Sequence, residues 1–323
     1  MLRSLPTSLI TTWLLVSSTY LVQPCQQRDT GFRLVIPERP SFQGDIVSVS
    51  ASSRHPIQQI QASFADQKIN FFPDANRQHW TALVGIDMDA KPGRHVIRGT
   101  VRYQDQTSAN FEESLEVLPK EFPEERVEVD EEYVTPSPEN AKRVEAESKR
   151  LEALWKTSSP ARLWRGAFVQ PVRGKVTSPL GARRILNDKP GSRHSGVDLA
   201  ASAGTLVKAA NAGQVAVADE LFLSGNTVVI DHGQGLYTIY AHGSKLLVKE
   251  GQSIKKGQPI ARVGSTGRTT GAHMHWGCRL NGARVNALAL LQPRNLDFKP
   301  AEGSVGDVTK NNPQKARPTN SSK

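Results

Sequence analysis

The sequence predicts a mainly β protein, with a small N-terminal β-sandwich, a linker carrying one helix, and a C-terminal domain built on an antiparallel β-sheet. Three observations predict it. Short β-branched runs punctuated by Gly and Pro fill Phe32 to about Leu118 and return from Phe168 onward, the rhythm of evenly spaced strands and turns. Between them, Ser137-Pro138-Glu139 carries the start signal of a helix. After Phe168 no helical period of any length is evident.

Residues 1–25 read as an export signal. Arg3 supplies a positive n-region and Leu5 to Val22 is largely apolar, but its strongest core, Leu9 to Val16, is too short for a membrane span. Val16-Ser17-Ser18 suits small-residue cleavage, a cut nearer Cys25 also fits, and Pro24 argues against lipid attachment at that cysteine. No other stretch is apolar enough, so no stable membrane span is expected after signal removal. Residues 31–119 form the predicted sandwich, with strand-like runs at Arg33-Leu34-Val35-Ile36, Asp45-Ile46-Val47-Ser48-Val49 and His95 to Val101. Pro37, Pro40, Gly44, Pro73-Asp74 and Lys91-Pro92-Gly93 break them. His55, His79 and His95 are scattered without ligand spacing and are assigned no chemistry.

Residues 120–160 read as a linker, acidic and proline-containing through Glu121-Phe122-Pro123-Glu124-Glu125 and then helical. Ser137 fits the N-cap, Pro138 the first helical position and Glu139 the first turn. Val144, Leu151, Leu154 and Trp155 fall on one side of this helix, which is predicted to end near Lys156, and such a stripe is expected to pack on a core. Residues 161–293 form the C-terminal domain. Its strands are predicted at Leu206-Val207, Gln214 to Ala218, Asn226 to Ile230 and Leu236 to Tyr240, with turns at Gly204, Gly213, Gly225, Gly251, Gly257 and Gly264. Residues 294–323, rich in Lys, Asn, Pro and Ser, read as a disordered basic tail.

The net charge of +10 is unevenly spread, since residues 157–323 carry 23 Lys and Arg against 9 Asp and Glu. That excess of +14 favours an anionic polymer as neighbour, with a plain solvated surface as the alternative. No stacking aromatics or recognised fold motif accompany the basic residues, so no nucleic-acid partner is expected. Only Cys25 and Cys278 exist, which excludes a disulfide framework and leaves Cys278 as a small buried apolar residue.

The chemistry concentrates in the basic half. Five of the eight histidines (His194, His232, His242, His273, His275) fall between residues 194 and 275. His273 and His275 lie one residue apart, so on a strand both point to one face. His194 and Asp198 are four apart, which also places them on one face of a strand or one side of a helix. His and Asp ligands with extra imidazoles nearby are the parts of an open catalytic zinc site, which has three protein ligands and a fourth position left for water. His232, in Asp231-His232-Gly233-Gln234-Gly235, reads instead as part of a hairpin turn.

From about Pro171 to Leu291 the chain resembles the LytM/lysostaphin-like zinc metallopeptidases, which cut peptide cross-links of bacterial peptidoglycan. The resemblance is carried by His194-Ser195-Gly196-Val197-Asp198, Asn226-Thr227-Val228-Val229-Ile230-Asp231-His232-Gly233, Tyr240-Ala241-His242, Gly264-Ser265-Thr266-Gly267-Arg268-Thr269-Thr270-Gly271 and His273-Met274-His275-Trp276, in that order. It implies a LytM-type peptidase domain in which His194, Asp198 and His275 bind one zinc ion and His242 and His273 are the catalytic pair. Zinc-activated water would then attack the scissile amide of a peptidoglycan peptide stem with the two histidines assisting. Trp276-Gly277-Cys278-Arg279 lacks the acidic residue that many relatives show after H-x-H, a departure outside the implied ligand set.

The reading that follows is an exported zinc endopeptidase of the periplasm or the extracellular cell wall. The alternative, from another class, is a non-catalytic LytM-type protein that binds wall or activates another hydrolase. Members of that kind lose one or more of the five residues, and this chain keeps all five. An anionic-glycan binding module with incidental histidines is the third. Given the resemblance, the anionic polymer beside the basic half would be one of the wall or envelope. The acidic linker and the basic half make a fold-back of the sandwich over the cleft one expectation, and a spacer or partner-binding role for the sandwich the other.

Overall fold

The computed structural model describes residues 31–73, 77–157, 159 and 161–292. The expected signal at 1–25 and the tail at 294–323 lie outside the described residues. No helix among the described residues is long and apolar enough to cross a membrane.

Alternation builds the N-terminal part. Along Ile46–Ser52 and Ile57–Phe64, buried apolar residues recur between exposed polar ones, so each strand offers one face to a core. Four strands form one sheet in the order Arg33–Val35, Ile46–Ser52, His79–Gly85, Phe71–Pro73. Five form the other, in the order Ser41–Phe42, Ser108–Leu118, Gly93–Tyr103, Ile57–Phe64, Gln67–Ile69. Val47, Val49, Trp80, Val84, Ile97, Val101 and Val117 meet between them in one apolar cluster, which makes a sandwich.

The C-terminal part is a ten-stranded sheet whose strand pairs are antiparallel. Its main path runs Val176–Ser178, Gly196–Leu199, Met274–Leu280, Leu236–Leu246, Gly225–Asp231, Gly213–Leu221, Ser253–Ile254. Met274–Leu280 is central and buried at every position but His275 and Arg279, with Trp276 and Cys278 fully buried. His232 belongs to this core: its Nδ1 lies 2.7 Å from the Ala212 carbonyl and its Nε2 2.7 Å from Thr238 Oγ1.

The sandwich docks on the hairpin end of this sheet. Ile46, Leu83 and Met88 join Leu280, Ala283 and Val285 in a single apolar cluster. Asp87 grips Arg284 with both carboxylate oxygens, at 2.6 and 3.0 Å, and accepts from its backbone N–H. Asp89 takes Arg284 Nη2 at 2.7 Å and Arg193 Nη1 at 3.3 Å. Burial raises the Asp87 pKa, but these bonds from Arg284 outweigh it and leave the carboxyl below its ordinary value.

The stretch read from sequence as a linker does more than connect. Glu124–Val127 pairs in parallel with Arg183–Leu186 and so adds a strand to the C-terminal domain. An acidic run beside a basic strand pairs opposite charges, which the acidic-linker reading overlooked. The helix spans Pro138–Trp155, with Ser137 Oγ capping Asn140 N as expected from sequence. Leu151, Leu154 and Trp155 pack on Val217, Val229 and Tyr237 of the sheet. Arg150 binds Asp219 and Glu250 at 2.7 and 2.9 Å, and Glu147 accepts from Phe222 N. Val144, Glu147, Ser148 and Leu151 thereby line the same groove as His194, His242 and His275. The linker thus lines the groove that holds the histidines, whereas the sandwich docks on the 280–286 hairpin and reaches Arg193, next to His194, through Asp89.

Candidate metal centre

Register assembles the site. Asp198 on Gly196–Leu199 is paired directly with His275 on Met274–Leu280, and Ala241 on Leu236–Leu246 pairs with His275 from the other side. His194 precedes the first of these strands, and His273 the second. His242 sits where its strand changes partners, from His275 at Ala241 to Val263 at Gly243. Its φ of +63° lies in the left-handed region, uncommon for a residue with a Cβ. Such a conformation costs about 1 kcal/mol and persists where surrounding structure enforces it.

Three ligand atoms form a triangle. His194 Nε2 lies 2.9 Å from His275 Nδ1, and Asp198 Oδ1 lies 3.0 Å from each. Ligands of a tetrahedral zinc ion sit about 2.0–2.1 Å from the metal, which sets them about 3.3 Å apart. The triangle is a few tenths of an ångström tighter, and two imidazoles with one carboxylate are a zinc-type donor set, so the residues fit that ion. Glycine makes the approach feasible: a Cβ at Gly196 would stand 2.8 Å from His275 Nε2 and 2.7 Å from the Trp276 carbonyl. The second carboxylate oxygen, Asp198 Oδ2, accepts from Arg184 Nη2 at 2.7 Å.

Carbonyl oxygens fix the imidazoles, since a carbonyl can only accept and the nitrogen facing it must carry the proton. His194 Nδ1 donates to Pro179 O at 2.9 Å, which turns the Nε2 lone pair to the centre. His242 Nδ1 donates to Thr266 O at 2.8 Å, and His273 Nδ1 donates to Gly271 O at 2.9 Å. Both carbonyls belong to one glycine-rich loop. Each of these two histidines is thus left with a free Nε2, and that of His273 is buried 3.4 Å from Asp198 Oδ1. Their rings stand 5.0 Å apart.

Burial sets the charge states. It pushes His242 down to about 3, with His275 and His273 adding to the effect. It pushes His275 down to about 4, against the pull of the Asp198 carboxylate. Burial also opposes protonation of His273, but Asp198 outweighs it and raises that pKa, a pull that a cation on the carboxylate removes. Asp198 itself is raised by burial, yet its bonds to His194, His273 and His275 hold it far below the usual carboxylate range. At pH 7 His242 and His275 are thus neutral and Asp198 is ionised.

The sequence-predicted residues His194, Asp198, His242, His273 and His275 all converge here, and His232 does not. Sequence reasoning missed Arg184, which orients Asp198, and Glu125, which accepts from Ser178 Oγ at 2.7 Å beside His194. It also missed the carbonyl roles of Thr266 and Gly271. The glycine-rich run from Gly264 to Gly271 was the available signal, because close packing needs it: Gly267, at φ +75°, would place a Cβ 2.4 Å from Gly225 N.

Comparison with known proteins follows the same lines. Residues 192–287 match peptidase family M23. The peptidoglycan DD-endopeptidase ShyA of Vibrio cholerae is 43% identical over 121 residues, which are 36% of this chain and 28% of that protein. The murein hydrolase activator NlpD of Escherichia coli is 36% identical over 139 residues, 43% of this chain and 34% of that one. The chain thus spans about a third or less of the length of the curated relatives it matches. A crystal structure of a peptidase M23 from Pseudomonas aeruginosa is 32% identical, with a TM-score of 0.62 over 78% of this chain and 95% of that one.

Proposed function

The chain belongs to peptidase family M23, and from that premise we propose that it is an exported zinc-dependent endopeptidase that hydrolyses peptide cross-links of bacterial peptidoglycan. One observation carries the reading: a two-histidine, one-carboxylate triangle of 2.9–3.0 Å stands beside two histidines whose Nδ1 protons are both committed to loop carbonyls. His194, Asp198 and His275 would hold the ion. Bound zinc supplies a Lewis acid that polarises a carbonyl and brings the pKa of water to about 7. The chain's own contribution is proton traffic and position. A neutral Nε2 on His242 or His273 would accept the proton of the attacking water and return it to the leaving amine nitrogen, and the other ring, once it has itself picked up a proton at Nε2, would donate to the developing oxyanion. Arg184 holds the carboxylate plane through Oδ2 while Oδ1 faces the two ligand histidines.

The match to a murein hydrolase activator supports a second reading, a non-catalytic wall-binding or hydrolase-activating protein. Incubating the zinc-loaded full chain with purified cross-linked muropeptides separates the two. Loss of the cross-linked species, abolished by chelator and restored by zinc, supports the peptidase. Intact cross-links, with faster cleavage once a second hydrolase is added, support the activator.

A further inference from the structure

Arg268 is a cation without a counter-charge. Its side chain lies between two stretches of groove, one lined by Glu125, Asp198 and His273 and the other by Glu147, His194, His242 and His275. Its guanidinium makes one hydrogen bond, to Ser192 Oγ at 3.3 Å, and among the described residues no carboxylate pairs with it. Arg184, its neighbour, is already committed to Asp198, with Glu125 at 3.9 Å. Burial and the like charge of Arg184 both disfavour the charged form of Arg268. A half-buried unpaired guanidinium is costly unless something anionic meets it. The backbone nonetheless holds it there: Arg268 N donates to Leu223 O, and Gly267 packs on the 223–225 turn.

We propose that Arg268 is a specificity-determining residue that takes a carboxylate of the substrate peptide next to the scissile amide. The proposal rests on the peptidase reading above. Guanidinium geometry suits a carboxylate, which it binds through two parallel N–H bonds. The site lies beside the triangle, so the anion it reads belongs to the residues flanking the cut. Two peptide carboxylates have that chemistry: the free α-carboxylate of the cross-linking residue inside the chain, and the terminal carboxylate of a stem that ends just after the cut. A peptide with that carboxylate amidated keeps one acceptor oxygen but loses the charge and the second bond, and turns an N–H donor toward the guanidinium.

The test uses the zinc-loaded full chain and synthetic cross-linked stem peptides in three forms: free acid, amidated at the internal carboxylate, and amidated at the terminus. Wild type is expected to favour the free acid by about tenfold or more in kcat/KM over one of the two amides, with the difference carried mainly by KM. Whichever amide is disfavoured identifies the carboxylate. In Arg268→Gln the acid-to-amide ratio falls to near one, and Arg268→Lys, a point charge without the fork, restores part of it. Equal handling of all three forms by wild type, or an unchanged ratio in Arg268→Gln, overturns the proposal. Binding of fluorescent acid and amide peptides, read by anisotropy, needs no turnover. An Arg268-dependent preference there, from a chain that cleaves nothing, keeps the carboxylate site and fails the peptidase reading instead.

Discussion

Asp198 serves two masters with its two oxygens: Oδ1 faces His194 and His275 at 3.0 Å, and Oδ2 accepts from Arg184 at 2.7 Å. The arginine fixes the carboxylate plane, so its removal should loosen a ligand without touching the ion. Arg184→Gln is expected to weaken zinc binding about tenfold to a hundredfold, measured by competition with a calibrated chelator. Unchanged affinity would mean that strand pairing alone positions Asp198.

Removing members of the triangle and members of the pair should have different signatures. His194→Ala, Asp198→Ala and His275→Ala each lose stoichiometric zinc in metal analysis. His242→Ala and His273→Ala keep it and lose turnover, by about a hundredfold or more for a general acid or base. Full zinc occupancy in Asp198→Ala would overturn the ligand assignment.

His242 holds a left-handed backbone, at φ +63°. His242→Gly should unfold at higher denaturant than His242→Ala, by about 1 kcal/mol, because glycine adopts that conformation without a Cβ clash. Both variants should lack activity. An alanine variant as stable as the glycine one would show that the strand break relaxes.

Burial pushes His232 down to about 4 from an ordinary 6.5. The folded state thus resists a proton that the unfolded chain accepts, so the stability this group contributes is complete above pH 6.5 and falls as pH drops from 6.5 toward 4. The loss is roughly 3 kcal/mol across that window. Denaturant midpoints of wild type and His232→Asn at several pH values isolate it, since the variant should lose the slope that this group adds. Parallel slopes would contradict the assignment.

Much of this molecule was legible in its residues. Period-two alternation found the strands, Ser137-Pro138-Glu139 found the helix start to the residue, and the spacing of His194, Asp198, His273 and His275 found the centre. Most of what escaped had no local signal. Whether Glu124 to Val127 is a linker or a strand depends on Arg183 to Leu186, more than fifty residues later, supplying its partner. Arg184 and Arg268 look like any surface arginine until the sheet brings one to Asp198 and leaves the other unpaired. Carbonyl groups of Thr266 and Gly271 are invisible to any reading by side-chain type.

Those two carbonyls sit on one short loop and set the proton positions of both His242 and His273. A shift of that loop by an ångström would therefore disarm two residues in a single event while leaving every lettered motif intact. Inactive descendants of such a domain need not have lost a histidine. On the peptidase reading, a loop insertion between Gly264 and Gly271 should abolish activity with all five residues in place, and the length of that loop belongs beside the histidines in any screen for retained catalysis.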